Sequence, residues 1–260
     1  MLTSLQNPLV KQLRKLQRAK ERVGQGVFLL EGTHLLQEAK ATNQPLNVVC
    51  CTEDWQNRYP DLFAWVMGTA QRLEQVSPEV LRAIATTVEP DGVVATVPRL
   101  HTQAIEIHSL GLVLESIQDP GNLGTMIRTA AAAGTEGLLV GGSSVDLGNP
   151  KVLRASAGQW FRLPMQVAPQ LPELLQAHRD RGFQLVATLP TAQKSYWDVD
   201  FRQPTLVLMG NEGAGLSADL ADFATLPVRI PLAPGVESLN VAIAAALILY
   251  EAQRQRQALP

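Results

Sequence analysis

The sequence has only two cysteines, Cys50 and Cys51, and they are adjacent. Neighbouring residues cannot build a disulfide framework, and they lack the spacing of zinc ligands. They end the apolar run Leu46-Asn47-Val48-Val49, which predicts buried thiols in a reducing compartment. Long apolar stretches are also missing. The longest aliphatic run, Val241 to Leu249, is too short to cross a bilayer. The N-terminus has no signal-peptide core, so a cytoplasmic protein without a membrane partner is expected. Neither sign of charge is in excess. With a formal net charge of −2 over 260 residues, the chain as a whole does not attract polyanions, and any surface for one must be local. No internal repeat is visible, and no histidine, cysteine or carboxylate cluster has metal-ligand spacing. At 46% apolar and 18% charged residues, the composition supports an ordinary globular core in one large or two modest domains.

What is present is a repeated grammar of strand, polar turn and helix. The apolar strand Leu112-Val113-Leu114 runs into Gln118-Asp119-Pro120-Gly121-Asn122-Leu123-Gly124, and a small-residue helix continues to Ala133. Asp119, Pro120 and Gly121 are turn formers, and Asn122 stands where its side chain would cap a helix over 123–133. Arg128 then falls about a turn and a half into an apolar helix, a pattern that exposes one functional group at a strand's carboxyl end. In a second unit, Leu206-Val207-Leu208-Met209 ends in Gly210-Asn211-Glu212-Gly213-Ala214-Gly215. In a third, Arg229-Ile230-Pro231-Leu232 leads to Glu237-Ser238-Leu239-Asn240 and the apolar helix Ala242 to Tyr250. Taken singly, each has an ordinary reading. Arg128 could pair with Glu212, Glu212 could be a helix-start carboxylate, and Ser238 and Asn240 could be caps. Leu208, Ile230 and Leu239 could be core.

In order, Asn122 with Arg128, Asn211-Glu212-Gly213 and Ser238-Leu239-Asn240-Val241 resemble the three motifs of the SpoU (TrmH-like) family of RNA ribose 2′-O-methyltransferases, in the SPOUT superfamily. Val152-Leu153-Arg154-Ala155-Ser156-Ala157-Gly158 resembles a family element between the first two motifs. Asn7-Pro8-Leu9-Val10-Lys11 and Phe28-Leu29-Leu30-Glu31-Gly32 are similar to the substrate-binding domain of the rRNA-modifying branch. The resemblance implies an α/β fold: a mainly parallel SPOUT domain with a C-terminal trefoil knot, preceded by a smaller α/β RNA-binding domain. It implies S-adenosylmethionine as methyl donor, no metal, and a homodimer through the knot region. The expected substrate is a ribose 2′-hydroxyl of rRNA, with tRNA as the alternative. The different-class alternative is a catalytically silent RNA-binding protein of the same fold.

By the same resemblance, Arg128, Asn122, Glu212, Ser238 and Asn240 are expected in catalysis. Thr188, Leu189, Leu208, Met209, Gly210, Ile230 and Leu239 are expected around the cofactor. Arg128 would hold a phosphate bidentately and stabilise negative charge on the ribose oxygen. Whether the hydroxyl proton leaves through the phosphate or through a neutral arginine stays open. Gly210 is read as letting backbone approach the ligand closely. Gly141-Gly142-Ser143-Ser144 also follows a strand, but it lacks the G-x-G-x-x-G spacing of a dinucleotide loop.

The predicted organisation is a first domain over 1–97, a linker over 98–109 with His101 and His108 facing solvent, and a second domain over 110–260. In the first, Lys11, Arg14, Lys15, Arg18, Lys20 and Arg22 crowd a helix capped by Asn7 with Pro8 at its first position. Leu9, Leu13 and Leu16 recur at helical spacing, which turns the cations outward. There Lys11, Arg14, Lys15 and Arg18 would contact RNA phosphates. In the second domain, alternating strands and helices predict a parallel sheet covered on both faces. The final helix, Leu239 to Gln255, is apolar around nearly its whole circumference, so burial on all sides is expected.

Overall fold

Asn7 accepts a hydrogen bond from Leu9 N–H at 2.9 Å and starts α1, Pro8–Lys15, with Pro8 in its first turn. The computed structural model describes residues 1–99 and 104–257. These form two compact units, Met1–His101 with Asp146–Phe161, and Thr102–Val145 with Arg162–Pro260. After α1 the basic run does not continue as one helix. It breaks and resumes as α2, Ala19–Gln25. Arg22 secures the break: it is 2% exposed and donates to the carbonyls of Leu16 and Gln17 at 2.8 and 3.1 Å, groups left open where α1 ends. Its other nitrogens meet Asp146 at 2.8 and 3.3 Å. Arg22 is therefore a buried tie, whereas Lys11, Arg14, Lys15, Arg18 and Lys20 are exposed.

Strands β1 (Val27–Glu31), β2 (Leu46–Cys51), β3 (Ala70–Gln75) and β4 (Val93–Pro98) form a sheet in the order β1-β4-β2-β3. The strands β1 and β2 run antiparallel to β4, and β3 runs parallel to β2. Helices α3 (Thr33–Ala41), α4 (Glu53–Arg58), α5 (Pro60–Thr69) and α6 (Pro78–Ile84) connect them. Because successive strand residues point to opposite faces, Phe28, Leu30 and Cys51 enter one apolar cluster, while Leu29 and Cys50 enter the other. Both thiols are buried and free. Burial, with Cys51 and Glu74 nearby, pushes the Cys50 thiol up to about 12.

The second unit is built on β5 (Leu110–Leu114), α7 (Pro120–Ala132) and β6 (Gly137–Gly141), while α8 (Pro150–Ala155), next in sequence, belongs to the first unit. The second unit continues with β7 (Met165–Ala168), α9 (Leu171–Asp180), β8 (Gln184–Thr188), β9 (Lys194–Ser195) and β10 (Thr205–Met209). Last come α10 (Ala218–Ala221), β11 (Leu226–Arg229) and α11 (Val241–Gln257). Its seven strands lie in the order β7-β6-β5-β10-β8-β11-β9, and all six pairings are parallel. The fold is thus α/β with a parallel sheet, as expected. From β5 the chain moves outward through β6 and β7, then β10 pairs on the other flank. Such a reversal of strand order is where open α/β sheets bind ligands, beyond the strands' carboxyl ends.

Two segments depart from the sequence reading. The end of the expected linker is part of the second unit's core: Ile107 is fully buried among Val113, Leu139 and Leu206. His108 is exposed as expected, while His101 lies outside the described residues. Residues 146–161 follow β6 in sequence but pack with the first unit. Leu153 enters its core, Trp160 meets the Phe28 ring edge-on at 4.8 Å, and Arg154 pairs with Glu31 at 2.5 Å. At Gly158, φ is +81° and a Cβ would lie 2.2 Å from Glu38 Cγ, so glycine is required there. Local sequence pattern does not say which core a helix such as α8 joins. Among the described residues no helix is long and apolar enough to cross a membrane, and no metal-ligand cluster occurs.

Candidate active site

Three polar turns converge in the second unit, and one chain of hydrogen bonds links them. Asp119, not Asn122, caps α7, its Oδ1 accepting from Asn122 N–H at 2.9 Å. The Asp-Pro-Gly triplet expected as a turn is the helix start, with Pro120 in the first turn. Asn122 is thereby freed for other bonds. Its Nδ2 donates to Glu212 Oε1 at 3.2 Å, and its Oδ1 accepts from Asn240 Nδ2 at 2.9 Å. Asn240 Oδ1 accepts from Ala242 and Ile243 N–H at 2.9 and 3.3 Å, capping α11. Asn240 thus caps α11 and bonds Asn122 at the same time.

Glu212 is the hub. Its carboxylate accepts from Gln118 N–H at 3.2 Å and Asp119 N–H at 3.0 Å, and from Asn211 Nδ2 at 3.4 Å. Partial burial opposes ionisation, but donors from Asp119, Glu212 itself, Gln118 and Asn122 together hold the carboxyl below its ordinary value. Asn211 shapes the turn, donating to Ser116 carbonyl at 2.8 Å and accepting from Gly213 and Ala214 N–H at 2.9 and 3.0 Å. The turn itself also needs Gly210: a Cβ there would lie 2.0 Å from Gly215 carbonyl carbon.

A cavity of about 200 Å³ opens beyond the carboxyl ends of β8, β10 and β11. Thr188, Leu189, Met209, Gly210, Ile230 and Leu239 line it, as do Glu212 and Ser238. Leu208 does not; its side chain is fully buried in the core, and its carbonyl accepts from Thr188 Oγ1 at 3.3 Å. Strand alternation turns Leu208 away where Met209 faces the cavity. Leu232 and Val241, to which sequence reading gave no cofactor role, stand on the same wall. Arg229 and Glu237, likewise given none, bring opposite charges to it. Apolar walls with a few polar groups at one end fit an adenosine-bearing cofactor.

Arg128 lies more than two turns into α7, deeper than expected because the helix starts three residues earlier. Its side chain is exposed, and among the described residues no carboxylate pairs with it. The alternative pairing with Glu212 does not form. Asn122, Glu212 and Asn240 are joined directly, and Ser238 borders the cavity. Arg128 stands on the same helix as Asn122, outside that bonded set.

Residues 109–250 match the SpoU rRNA Methylase family, and residues 7–95 match the MRM3-like substrate binding domain. The chain is 50% identical to an uncharacterized tRNA/rRNA methyltransferase of Synechocystis, covering 99% of this chain and 94% of that one. It is 32% identical to the 23S rRNA (guanosine(2553)-2'-O)-methyltransferase of Bacillus subtilis, covering 96% and 97%. Among solved structures, the SpoU methyltransferase AviRb of Streptomyces viridochromogenes in complex with AdoMet superposes with a TM-score of 0.87 at 32% identity, covering 97% of this chain and 99% of that one. The fold and cavity define an enzyme that transfers methyl groups from S-adenosylmethionine. More particularly, the chain belongs to the SpoU rRNA methylase family.

Proposed function

We propose that this chain methylates a ribose 2′-hydroxyl of ribosomal RNA, with Arg128, Asn122, Glu212, Ser238 and Asn240 as its working residues. The observation that carries the reading is the chain Asn240–Asn122–Glu212, which ties all three motif turns together beside the cavity. The names of relatives that act on 23S rRNA support the substrate class. Bound S-adenosylmethionine supplies a methyl group already activated on a sulfonium. Leu189, Met209, Ile230 and Leu239 hold its adenosine part, with backbone at 208–210 giving orientation. Glu212, ionised and fully donated to, fixes the Gln118–Asp119 turn and Asn122. Asn240 holds Asn122 from the other side, and Ser238 offers a hydroxyl at the cavity rim. Arg128 carries a planar fork of donors that no carboxylate among the described residues occupies. It grips the phosphate beside the target ribose and stabilises negative charge growing on the 2′-oxygen. The protein's share of catalysis is thus orientation and charge stabilisation.

Lys11, Arg14, Lys15 and Arg18, all exposed on the first unit, supply phosphate contacts that draw the RNA in. Residues 1–97 serve as the substrate-binding part and residues 110–260 as the catalytic part. The chain after β11 is knotted, a reading supported by the insertion of β10 between β5 and β8 and by the return of α11 onto α7. The protein works as a homodimer. One face of α11 is buried through Ala245, Ile248 and Leu249, while Ile243, Leu247 and Tyr250 are 51%, 38% and 50% exposed on another. Those residues recur at helical spacing and invite a second copy. It acts in the cytoplasm, where free thiols such as Cys50 and Cys51 persist. Methyl transfer from labelled S-adenosylmethionine to rRNA and to tRNA, assayed side by side, tests the reading. Transfer to tRNA alone contradicts the substrate, and cofactor binding without any transfer contradicts the activity.

A further inference from the structure

The loop after β6, Gly142 to Val145, is not used by any step above, yet it makes more bonds to the Asp119 turn than packing requires. Ser144 Oγ accepts from Ile117 N–H at 3.1 Å, and Val145 N–H donates to Ile117 carbonyl at 2.7 Å. Ser143 and Ser116 hydroxyls share a hydrogen bond of 2.6 Å. Gln118 Nε2 donates to the carbonyls of Ser143 at 2.8 Å and Ser116 at 3.2 Å. Since both partners are acceptors, the amide orientation of Gln118 is decided by chemistry. The residue so held is strained. Ser116 has φ of +56°, a left-handed conformation that costs a non-glycine residue free energy and persists only when its surroundings enforce it. Its carbonyl is also held by Asn211 from the second motif. Two residues further on, Gln118 N–H reaches Glu212.

We propose that Ser144 and Gln118 are positioning residues: they brace the strained Ser116–Asp119 turn so that its amides meet Glu212 and Asn122 stays aligned. This rests on the functional reading above. The brace acts on the catalytic turn and not on the cofactor walls, because neither Ser144 nor Gln118 lines the cavity. It therefore governs the rate of transfer and leaves cofactor affinity alone.

The test uses the full chain with Ser144→Ala, Ser144→Thr, Gln118→Glu and the double variant Ser144→Ala with Gln118→Glu. Gln118→Glu keeps size but puts a carboxylate against two carbonyls. Gln118 is exposed, so the variant should fold. Each lost bond should lower kcat by about fivefold, with the calorimetric Kd for S-adenosylmethionine within about twofold of wild type. Ser144→Thr, which keeps the acceptor, should restore the rate. The double variant should lose less than the product of the single effects, because both residues hold one turn. Hydrogen exchange of amides 116–119 should speed up in Ser144→Ala and Gln118→Glu, whether or not any RNA is methylated. Unchanged exchange and unchanged kcat overturn the proposal. Loss of rate in Gln118→Glu with none in Ser144→Ala also overturns it, since Gln118 would then act directly on RNA. A wild-type enzyme silent on rRNA would refute the substrate reading instead, and the exchange measurement would still decide the brace.

Discussion

Asn240 donates its side-chain amide to Asn122 Oδ1 at 2.9 Å while its own oxygen caps α11. One residue thereby fixes both the start of the last helix and the orientation of a first-motif amide. The two jobs separate by substitution. Asn240→Asp keeps a good cap but removes the donor and sets a carboxylate against Asn122 Oδ1. It should leave the thermal midpoint near wild type and slow methyl transfer by about tenfold or more. Asn240→Ala loses both roles, slowing transfer and costing about 1 kcal/mol of stability. Parallel melting curves and rate assays check the pair.

The hub carboxylate gives the site an acid sensitivity. Since the folded value of Glu212 is lowered, its ionised form stabilises the native state above the ordinary carboxylate range, and that contribution is lost as pH falls through the lowered value. Glu212→Gln should therefore be less stable than wild type at neutral pH. The gap should shrink once pH drops below about 4. Denaturant titrations across pH 3 to 7 measure it; a gap independent of pH would contradict the assigned charge.

Arg22 and the outer cations of the same run should behave in opposite ways. Changing Lys11, Arg14, Lys15 and Arg18 together to alanine should weaken RNA binding and flatten its dependence on salt, by about 0.7 in log–log slope per lost phosphate contact on a single strand. Arg22→Ala should leave that slope alone. It should lower stability by about 3 kcal/mol, because Asp146 and the end of α1 lose their partner.

How far the sequence could be read follows from the range of each signal. The strands of the second unit are continuous apolar runs such as Leu206 to Met209, and their ends were legible to within a residue or two. Asn122, Glu212 and Asn240 were legible as a set through their motifs, but their mutual bonds were not. Which of Asp119 and Asn122 caps α7 depends on where Pro120 sits in the helix, and Asp-Pro-Gly serves equally as turn or helix start. Arg22 looked like its neighbours because its buried partner, Asp146, lies more than a hundred residues away. The same distance hid the membership of residues 146–161 in the first unit, and strand β9 is two residues long and carries no period at all.

That membership changes what truncation should do. Deleting residues 1–97 would strip cover from Leu153, Trp160 and Phe161, which pack on the first unit's core. The remaining chain should bind hydrophobic dye and aggregate, even though the cavity residues are all retained. Deleting residues 1–97 without aggregation or dye binding would contradict this account of the segment.

The central claim is tested most directly by mapping ribose 2′-O-methyl groups in total RNA at nucleotide resolution. Cells with the gene, without it, and carrying Arg128→Ala would be compared. The account predicts one rRNA position that is methylated with the wild-type gene, unmethylated without it, and not restored by Arg128→Ala, since that variant lacks the fork that holds the phosphate. An rRNA methylation pattern unchanged by loss of the gene, or full restoration by Arg128→Ala, would contradict it.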